Sequence, residues 1–413
     1  YYSIYYFISI FGIITSIFTF FFKKIIKIYI SIFFISLIFS LYMFEFYLIF
    51  EENLITSKKE KIYFKKTNLE FEKRSKIQIY KELKKINKNI KIVASPHYYL
   101  YKNDLELFPL SGHSHSQTIN CKENGYFSLF ESDRYGFNNP DNEWDQNKIE
   151  YLIIGDSFAK GSCVNRPNDI SSLIRSLYGS SSITLGYNSK GPLMELATLK
   201  EYINPRIKRV IWLYFEGNDI YNLQKELKNE FLVNYLKDKN FTQDLINKQV
   251  EIDKLSNRLI LEILNKKQKE NELFESNIFK IKNFIKFYKT RKLFFKKFID
   301  KTDSTFEYKL NSELEKKLEE ILRDALYITH SNNSDFYFVY LPAFERYVNK
   351  IDNYNYKKIK KIIDKIKIKF IDVNENIFLN LSDPLDYFPF KMNGHYNKQG
   401  YSEVAKLIYK ITN

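Results

Sequence analysis

Two long apolar runs at the amino terminus differ from every later part of the chain. Residues 1–22 carry no charged side chain, and after a short basic turn a second uncharged run extends over residues 28–44, ending before Glu45. A helix needs about 20 apolar residues to cross a bilayer. The pattern predicts a transmembrane helix or hairpin within residues 1–50. No small-residue cleavage site follows, which favours a retained anchor over a removed signal peptide.

Short apolar runs alternate with amphipathic segments through residues 149–413, a pattern typical of a parallel sheet with crossover helices. Buried strands are predicted at residues 151–154, 182–185, 209–215, 335–341 and 367–373. Helices are predicted at residues 169–177, 191–202, 354–366 and 400–411. The predicted fold is therefore α/β, a three-layer α/β/α doubly wound parallel sheet of about five strands.

Two further regions do not fit this alternation. Residues 51–148 combine a helical piece at 72–89 with short strand-like runs at 91–96 and 98–101, which indicates a stem and a small accessory layer. Residues from about 221 to 310 are helical in pattern and highly charged, without strand signals. They are predicted to form a helical insertion in the domain of residues 149–413.

The excess of positive charge does not indicate a nucleic-acid partner. The chain has 64 Lys and Arg against 49 Asp and Glu, a net charge of +15, but the two signs mostly alternate. A nucleic-acid-binding domain gathers its basic residues on one face or in one tract. The nearest approach to a tract, residues 282–297, is interleaved with Phe, Ile and Leu. It is more typical of an amphipathic helix that rests on a membrane or on the domain.

Polar residues follow two of the predicted strands at their carboxyl ends. Gly155-Asp156-Ser157 ends the first strand and Gly217-Asn218-Asp219 ends the third. Open α/β sheets bind their ligands at this edge. Gly155 permits a sharp turn, after which backbone N–H groups can point at a developing oxyanion. Taken alone, Gly155-Asp156-Ser157 also fits an ordinary junction between a strand and a helix.

Together with His395, which enters the last helix in the run Gly394-His-Tyr-Asn-Lys-Gln-Gly-Tyr401, these two motifs resemble the SGNH/GDSL superfamily of esterases and acyltransferases. The resemblance covers about residues 149–413. It implies a serine enzyme that acts through an acyl-enzyme, with no cofactor and no metal. Membrane-anchored members, including those that modify exported polysaccharides, are the best comparison, so the expected substrate is an acyl ester of a glycan or lipid.

The resemblance assigns roles to individual residues. Ser157 would be the nucleophile and His395 its general base and later general acid. The side-chain amide of Asn218 and the backbone N–H of Ser157 would bind the oxyanion. The third donor would be the backbone N–H of Ser189, which must then tolerate the local φ and ψ, or that of Gly191.

One departure concerns the acid that orients the histidine. The family commonly has Asp three residues before the histidine, where this chain has Met392. Either Asp383 or Asp386 returns to His395, or a backbone carbonyl orients the ring and the site is a Ser–His dyad. We expect the dyad, with Asp386 as the candidate acid, and a slower enzyme than a full triad. The departures also leave open a non-enzymatic module that binds envelope carbohydrate.

Cys121 and Cys163 are the two cysteines of the chain. They are either two buried thiols or a disulfide that pins the stem beside Ser157. A disulfide and an anchor together favour the inner membrane, with the catalytic domain on the extracytoplasmic, periplasmic side. His113 and His115 lie two apart in a Ser-rich loop, but without a third ligand nearby they are expected to be solvated loop residues.

Overall fold

The computed structural model describes residues 3–102, 105–275, 277–294, 306, 308–350 and 353–413. The chain divides into two compact units. The first contains residues 1–58 and 270–301, and the second contains residues 59–269 and 302–413. The boundaries at residues 58/59 and 269/270 fall inside two long helices, Lys24–Thr67 and Gln249–Glu275.

The described residues form the following elements. The strands are β1 (Ile90–Ile92), β2 (Gln117–Ile119), β3 (Leu129–Glu131), β4 (Ile149–Gly155), β5 (Ser182–Thr184), β6 (Ile207–Phe215), β7 (Asp335–Leu341) and β8 (Lys369–Asp372). The helices are α1 (Ser3–Thr19), α2 (Lys24–Thr67), α3 (Lys76–Ile86), α4 (Ser157–Lys160), α5 (Ile170–Tyr178), α6 (Pro192–Tyr202), α7 (Asp219–Glu226), α8 (Glu230–Lys237), α9 (Gln249–Glu275), α10 (Asn277–Ile285), α11 (Tyr288–Phe294), α12 (Ser312–Ser331), α13 (Phe344–Asn349), α14 (Tyr356–Ile366), α15 (Val373–Asn376) and α16 (Lys398–Thr412).

Helix α2 is the one helix in the described part of the chain that is long and apolar enough to cross a membrane. It contains neither Gly nor Pro, so nothing in its sequence interrupts the backbone hydrogen bonds, and it runs unbroken past Glu45. The Glu45 carboxylate is buried and accepts hydrogen bonds from the backbone N–H groups of Lys289 (2.8 Å) and Thr290 (2.7 Å) at the start of α11. The acidic residue that ends the apolar run is thus satisfied within the first unit.

The main sheet has five strands in the described residues, all parallel, in the order β5-β4-β6-β7-β8. In chain order this is second, first, third, fourth, fifth, so the direction of winding reverses between β4 and β6. In open parallel sheets such a reversal leaves a crevice at the carboxyl ends of the two strands. Gly155 of β4 lies opposite Leu213 of β6. This register brings the residues that follow β4 and β6 to the same edge of the sheet.

Both faces of the main sheet are buried. Leu152 and Ile154 of β4 belong to one hydrophobic cluster, to which α6, α12 and α14 contribute, whereas Tyr151 and Ile153 belong to a second, to which α5 and α16 contribute. Strands buried on both faces have continuous apolar sequences rather than alternating ones. This explains why the strand predictions succeeded, β7 with the predicted bounds.

The small sheet in the amino-terminal region pairs β1 parallel to β2 and β2 antiparallel to β3. Its residues Ile90, Ile92 and Ile119 join the first hydrophobic cluster of the main sheet. The strand-like run at 98–101 instead lies in a 3₁₀ helix, Pro96–Tyr101. Its start is set by Pro96 and by Ser95, whose side chain accepts a hydrogen bond from the backbone of the new helix.

The predicted insertion at residues 221–310 contains most of α7 and all of α8–α11. Residues 276, 295–305 and 307, which belong to this prediction, lie outside the described residues. Helix α9 is partly in the second unit, where Ile252, Leu259 and Ile260 are buried in the first hydrophobic cluster.

Candidate active site

The turn after β4 places one serine, Ser157, at the edge of the sheet. Gly155 has φ +150°, and a Cβ there would lie 2.7 Å from the carbonyl oxygen of Leu213, so the turn requires glycine. Asp156 caps α4 by accepting a hydrogen bond from the Phe158 N–H at 2.8 Å. Ser157 is the first residue of that helix, and its own N–H therefore has no partner within the helix.

The side chains of Ser157 and His395 are in direct contact. The distance from Ser157 Oγ to His395 Nε2 is 2.8 Å, although the residues are 238 positions apart. His395 lies just before α16, whose start is fixed by Asn397, an N-cap that accepts hydrogen bonds from the N–H groups of Gln399 and Gly400. The neighbouring Tyr396 is buried and donates its hydroxyl to the Pro342 carbonyl at 2.7 Å. These contacts fix the backbone that carries the imidazole.

The carboxylate that orients His395 belongs to Glu123. Both Oε atoms lie 3.0 Å from His395 Nδ1, and Oε2 also accepts the His395 backbone N–H at 2.6 Å. A Cβ on Gly394 would lie 2.6 Å from the same oxygen, so glycine at this position leaves room for the carboxylate. Ser157, His395 and Glu123 thus form a continuous chain of three side chains.

The predicted acid, Asp386, is not in this chain. Its carboxylate pairs with Lys391 at 2.9 Å, its side chain is 50% exposed, and Asp383 pairs with the same lysine at 2.6 Å. The two aspartates are occupied in a turn stabilised by Lys391. The prediction of Asp386 as the acid is therefore wrong, and so is the expected dyad, because the imidazole has a carboxylate partner.

Glu123 was missed because it precedes His395 by 272 positions, in the region interpreted as a stem and accessory layer. A signal was present in the two cysteines, which form a disulfide with their Cα atoms 4.9 Å apart. Cys163 lies six residues after Ser157, and Cys121 lies two before Glu123. A pairing of these cysteines implies that residues near 121 lie beside the serine turn.

The disulfide also touches the imidazole. Cys163 Sγ lies 3.6 Å from His395 Nδ1, and the Asn124 amide donates to the Cys163 carbonyl at 3.0 Å. Cys121, Glu123, Cys163 and His395 have the spacing of a metal-binding group. Both sulfurs are consumed by the S–S bond, however, and the disulfide form offers no thiolate to a metal. We interpret the group as a hydrogen-bonded site.

The charges in the site favour an ionised Glu123. Burial by itself would raise the pKa of Glu123, but the His395 imidazole and its two N–H donors outweigh this and lower that pKa. At Asp156 the balance is reversed, and burial raises its pKa despite the Phe158 N–H, the nearby imidazole and the Ser157 and Asn218 side chains. Asp156 Oδ2 lies 3.2 Å from Ser157 Oγ, farther than the imidazole nitrogen.

The expected oxyanion donors lie on the same edge. Asn218 is the N-cap of α7, directly after the turn that follows β6, and its amide lies near enough to Asp156 to affect that pKa. Ser189 has φ +59°, the left-handed region that glycine usually occupies. Its backbone N–H has no hydrogen-bond partner among the described residues.

The alternative donor, Gly191, is not available. Its N–H donates to Glu226 Oε1 at 2.5 Å, and Glu226 Oε2 accepts from Leu193 N–H at 3.0 Å. Glu226 is buried and satisfies the first N–H groups of α6, where Gly191 as N-cap has no side chain to do so. This leaves Ser189 as the candidate for the third donor.

The two loop histidines differ, because the His113 side chain is partly buried and has protein partners, whereas His115 is exposed. His113 Nε2 lies 3.1 Å from the Asn257 amide nitrogen, and His113 Nδ1 lies 2.8 Å from the Ser114 carbonyl oxygen. His115 belongs to the same loop but has no role in the chain of Ser157, His395 and Glu123.

Comparison with known proteins adds little to this description. No family model matches the chain, and no curated protein matches it. Among solved structures, the chain is similar to the crystal structure of protein YxiM from Bacillus subtilis, with 12% sequence identity and a TM-score of 0.34 over 64% of this chain. The match spans 56% of YxiM. What the chain does must therefore be argued from its own site.

Proposed function

We propose that this protein is a serine esterase or O-acyltransferase of the SGNH/GDSL type. The observation that carries the proposal is the chain of contacts from Ser157 Oγ through His395 to Glu123, with 2.8 Å and 3.0 Å separations. A hydroxyl, an imidazole and a carboxylate in this order are the parts of an activated nucleophile. Their position at the crevice between β4 and β6 is where such a sheet binds a ligand.

In the proposed reaction Ser157 Oγ attacks the ester carbonyl carbon while His395 Nε2 accepts the hydroxyl proton. The tetrahedral intermediate collapses, the bond from carbon to the leaving oxygen breaks, and His395 returns the proton to the departing alkoxide. Water or a second hydroxyl then attacks the acyl-enzyme with the same assistance, releasing an acid or a new ester. Glu123 keeps the ring in position and stabilises the imidazolium in both halves.

The N–H of Ser157, the N–H of Ser189 and the amide of Asn218 are the proposed oxyanion donors. All three follow the carboxyl ends of neighbouring strands. Backbone donors do not depend on the side chain, so serine in place of glycine at position 189 retains the group that matters, and its φ of +59° has the backbone form expected there.

The remaining features support a tethered enzyme in an oxidising compartment. The strand order and the helices that contribute to both hydrophobic clusters support a three-layer fold of the SGNH type. Helix α2 supports a membrane anchor, and the Cys121–Cys163 disulfide supports an extracytoplasmic location of the catalytic domain at the inner membrane. An anchored enzyme suits an acyl ester of a glycan or lipid in the envelope.

The test compares Ser157→Ala with Ser176→Ala, an exposed serine of α5, in the full-length protein in detergent. We expect the first variant to lose hydrolysis of 4-nitrophenyl acetate and labelling by a fluorophosphonate, and the second to retain both. Turnover that survives in folded Ser157→Ala protein contradicts the proposal. Adding oligosaccharide acceptors and looking for acylated sugar separates transfer from hydrolysis.

A non-enzymatic carbohydrate-binding module is the alternative. It rested on the missing aspartate at position 392 and on the serine at position 189. The contact between Glu123 and His395 supplies a carboxylate from another part of the chain and removes the first ground. This alternative would be favoured if the unsubstituted protein bound glycans but was not labelled by the fluorophosphonate and did not hydrolyse esters.

A further inference from the structure

A basic cavity of about 300 Å³ lies beside the loop that carries Ser189. Its walls include Cys121 and Ser189, so it adjoins both the disulfide and the proposed oxyanion loop. Its polar lining includes Lys76, Lys267, His97, Asn120, Asn188 and Ser95, and none of the described residues that line it is acidic. A cavity lined by cations and amides without an acid is suited to an anion.

The ammonium group of Lys76 has no counter-charge in the part of the chain that the structure describes. Among the described residues it has neither a hydrogen-bond acceptor nor an ion-pair partner, although its side chain is partly buried in the wall of the cavity. Burial, together with repulsion from Lys267, lowers the pKa of Lys76 to about 8. Two positive charges that face each other across a cavity make protonation of each lysine less favourable. The same charges make binding of an anion between them more favourable.

A third lysine, Lys160, lies behind the wall of the cavity, and burial lowers its pKa well below the ordinary value. Lys160 is fully buried and donates to the Oδ1 atoms of Asn120 (3.0 Å) and Asn188. Because both amide oxygens accept from Lys160, each amide presents its NH₂ group on the opposite side. Neither NH₂ group donates to another residue in the described part of the chain. Lys160 thereby orients two further donors at the wall of the cavity.

We propose that this cavity binds an anionic oxygen group, a carboxylate or a phosphate, carried by the acylated substrate. The inference rests on the proposed function and specifies its substrate class as an acidic glycan or a phosphate-bearing one. Lys76 and Lys267 would form charge-assisted hydrogen bonds to the group, and the amides of Asn120 and Asn188 would complete its coordination. Because Ser189 is shared by both sites, the anion would lie next to the ester being cleaved.

The kinetic test uses the full-length protein and its Lys76→Gln/Lys267→Gln variant. The substrates are O-acetylated methyl glucoside, methyl glucuronide and glucose phosphate, which are neutral, carboxylate-bearing and phosphate-bearing respectively. We expect kcat/KM of the variant to fall at least about tenfold for an anionic ester, mainly through KM, and to change less than about twofold for the neutral one. The control is Lys316→Gln/Lys357→Gln, two exposed lysines that do not line the cavity.

A binding experiment tests whether the cavity binds an anion, independently of catalysis. Methyl glucuronide and glycerol 3-phosphate are titrated calorimetrically into Ser157→Ala protein, with and without the two lysine substitutions. We expect at least one anion to bind, the Gln variant to lose that binding, and a Lys76→Arg/Lys267→Arg variant, which keeps both charges, to retain most of it. The preferred anion distinguishes an acidic glycan from a phosphate-bearing one.

Absence of binding by both anions, or equal binding by the Gln variant, overturns the proposal. An equal loss of kcat/KM on neutral and anionic esters does the same. If Ser157→Ala retains esterase activity, the proposed function fails, and the titrations still decide whether the cavity binds anions.

Discussion

The imidazole of His395 lies between two groups that determine its tautomer. Nδ1 faces an ionised Glu123, which can only accept a hydrogen bond, so Nδ1 carries the hydrogen. The lone pair of Nε2 then faces Ser157 Oγ and can accept its proton. The ionised state of Glu123 thus leaves the Nε2 lone pair of His395 free to accept a proton.

The first prediction concerns this carboxylate. Replacing Glu123 by Gln keeps the shape but allows the amide to donate to Nδ1, which favours the wrong tautomer. We expect kcat to fall by about 10²–10⁴-fold, as for the loss of the acid from a triad. Asp386→Asn serves as the matched control and should stay within about twofold of the unmodified protein. Steady-state hydrolysis of 4-nitrophenyl acetate measures both, and a large loss in the control with none in Glu123→Gln would restore Asp386 as the acid.

A second prediction concerns pH and Lys76. Its pKa in the folded protein is lowered to about 8, so the ammonium is present below that pH and lost above it. Binding of methyl glucuronide, whose charge is constant in this range, should be strongest below about pH 8 and weaken as the pH rises through 9. Burial also lowers the pKa of the neighbouring His97, which therefore stays neutral over this range.

The control for this titration is Lys267→Gln, which removes the repelling charge. It should move the loss of binding to higher pH, because the pKa of Lys76 then rises. Calorimetric affinities between pH 7 and 10 test both statements. An affinity independent of pH would show that Lys76 does not contribute.

At the scale of elements, the connection between β2 and β3 meets the segment after α4 through one covalent bond. Cys121 follows β2 and Cys163 follows α4. The disulfide therefore links the loop that contains Glu123 to the segment that contains Ser157. The small sheet is in this sense part of the site, although its strands have only three residues each.

The third prediction follows from that tie. The Cys121→Ser/Cys163→Ser variant should lower kcat, because Glu123 loses its fixed distance from His395. It should also lower the free energy of unfolding by about 4 kcal/mol, the chain-entropy value for a loop of this length. In a Glu123→Gln background the same substitutions should lower stability but leave kcat unchanged. A further loss of kcat there would mean that the disulfide acts on the site by another route.

Dithiothreitol provides the matched measurement. It should lower the activity of the unmodified protein and leave the serine variant unaffected. Equal inhibition of both proteins would point to an effect unrelated to this bond.

At the scale of the whole molecule, an apolar helix at one end and a disulfide near the site constrain where the protein works. Helix α2 carries an apolar segment long enough for a bilayer. Glu45, the first acidic residue of the helix, accepts hydrogen bonds from the start of α11 in the same unit. The disulfide suggests an oxidising compartment.

The fourth prediction is that the full-length protein behaves as an integral membrane protein. It should remain in the membrane pellet after washes with high salt and with alkaline carbonate, and dissolve in detergent, because α2 is held by apolar contacts rather than charge. Release by salt alone would instead indicate attachment through the basic residues of the chain.

The sequence by itself determined the elements and the local motifs. The 335–341 strand, the glycine turn before Ser157 and the helix after His395 follow from side-chain periodicity, turn chemistry and capping, which act between residues a few positions apart. The local rules failed at residues 98–101, where a proline and a serine cap favoured a 3₁₀ helix over the apolar pattern.

The tertiary structure decided which distant residues meet. Glu123 contacts His395 across 272 positions, the two cysteines form a disulfide, and Lys76 and Lys267 line one cavity. These contacts depend on strand order and on how the small sheet packs against the main one. Strand order and the packing of the two sheets produce no periodic pattern in the sequence. A carboxylate can contact an imidazole from any segment that folding brings within about 3 Å of it. Its proximity to His395 in the sequence therefore gave Asp386 no advantage over a residue in the accessory region.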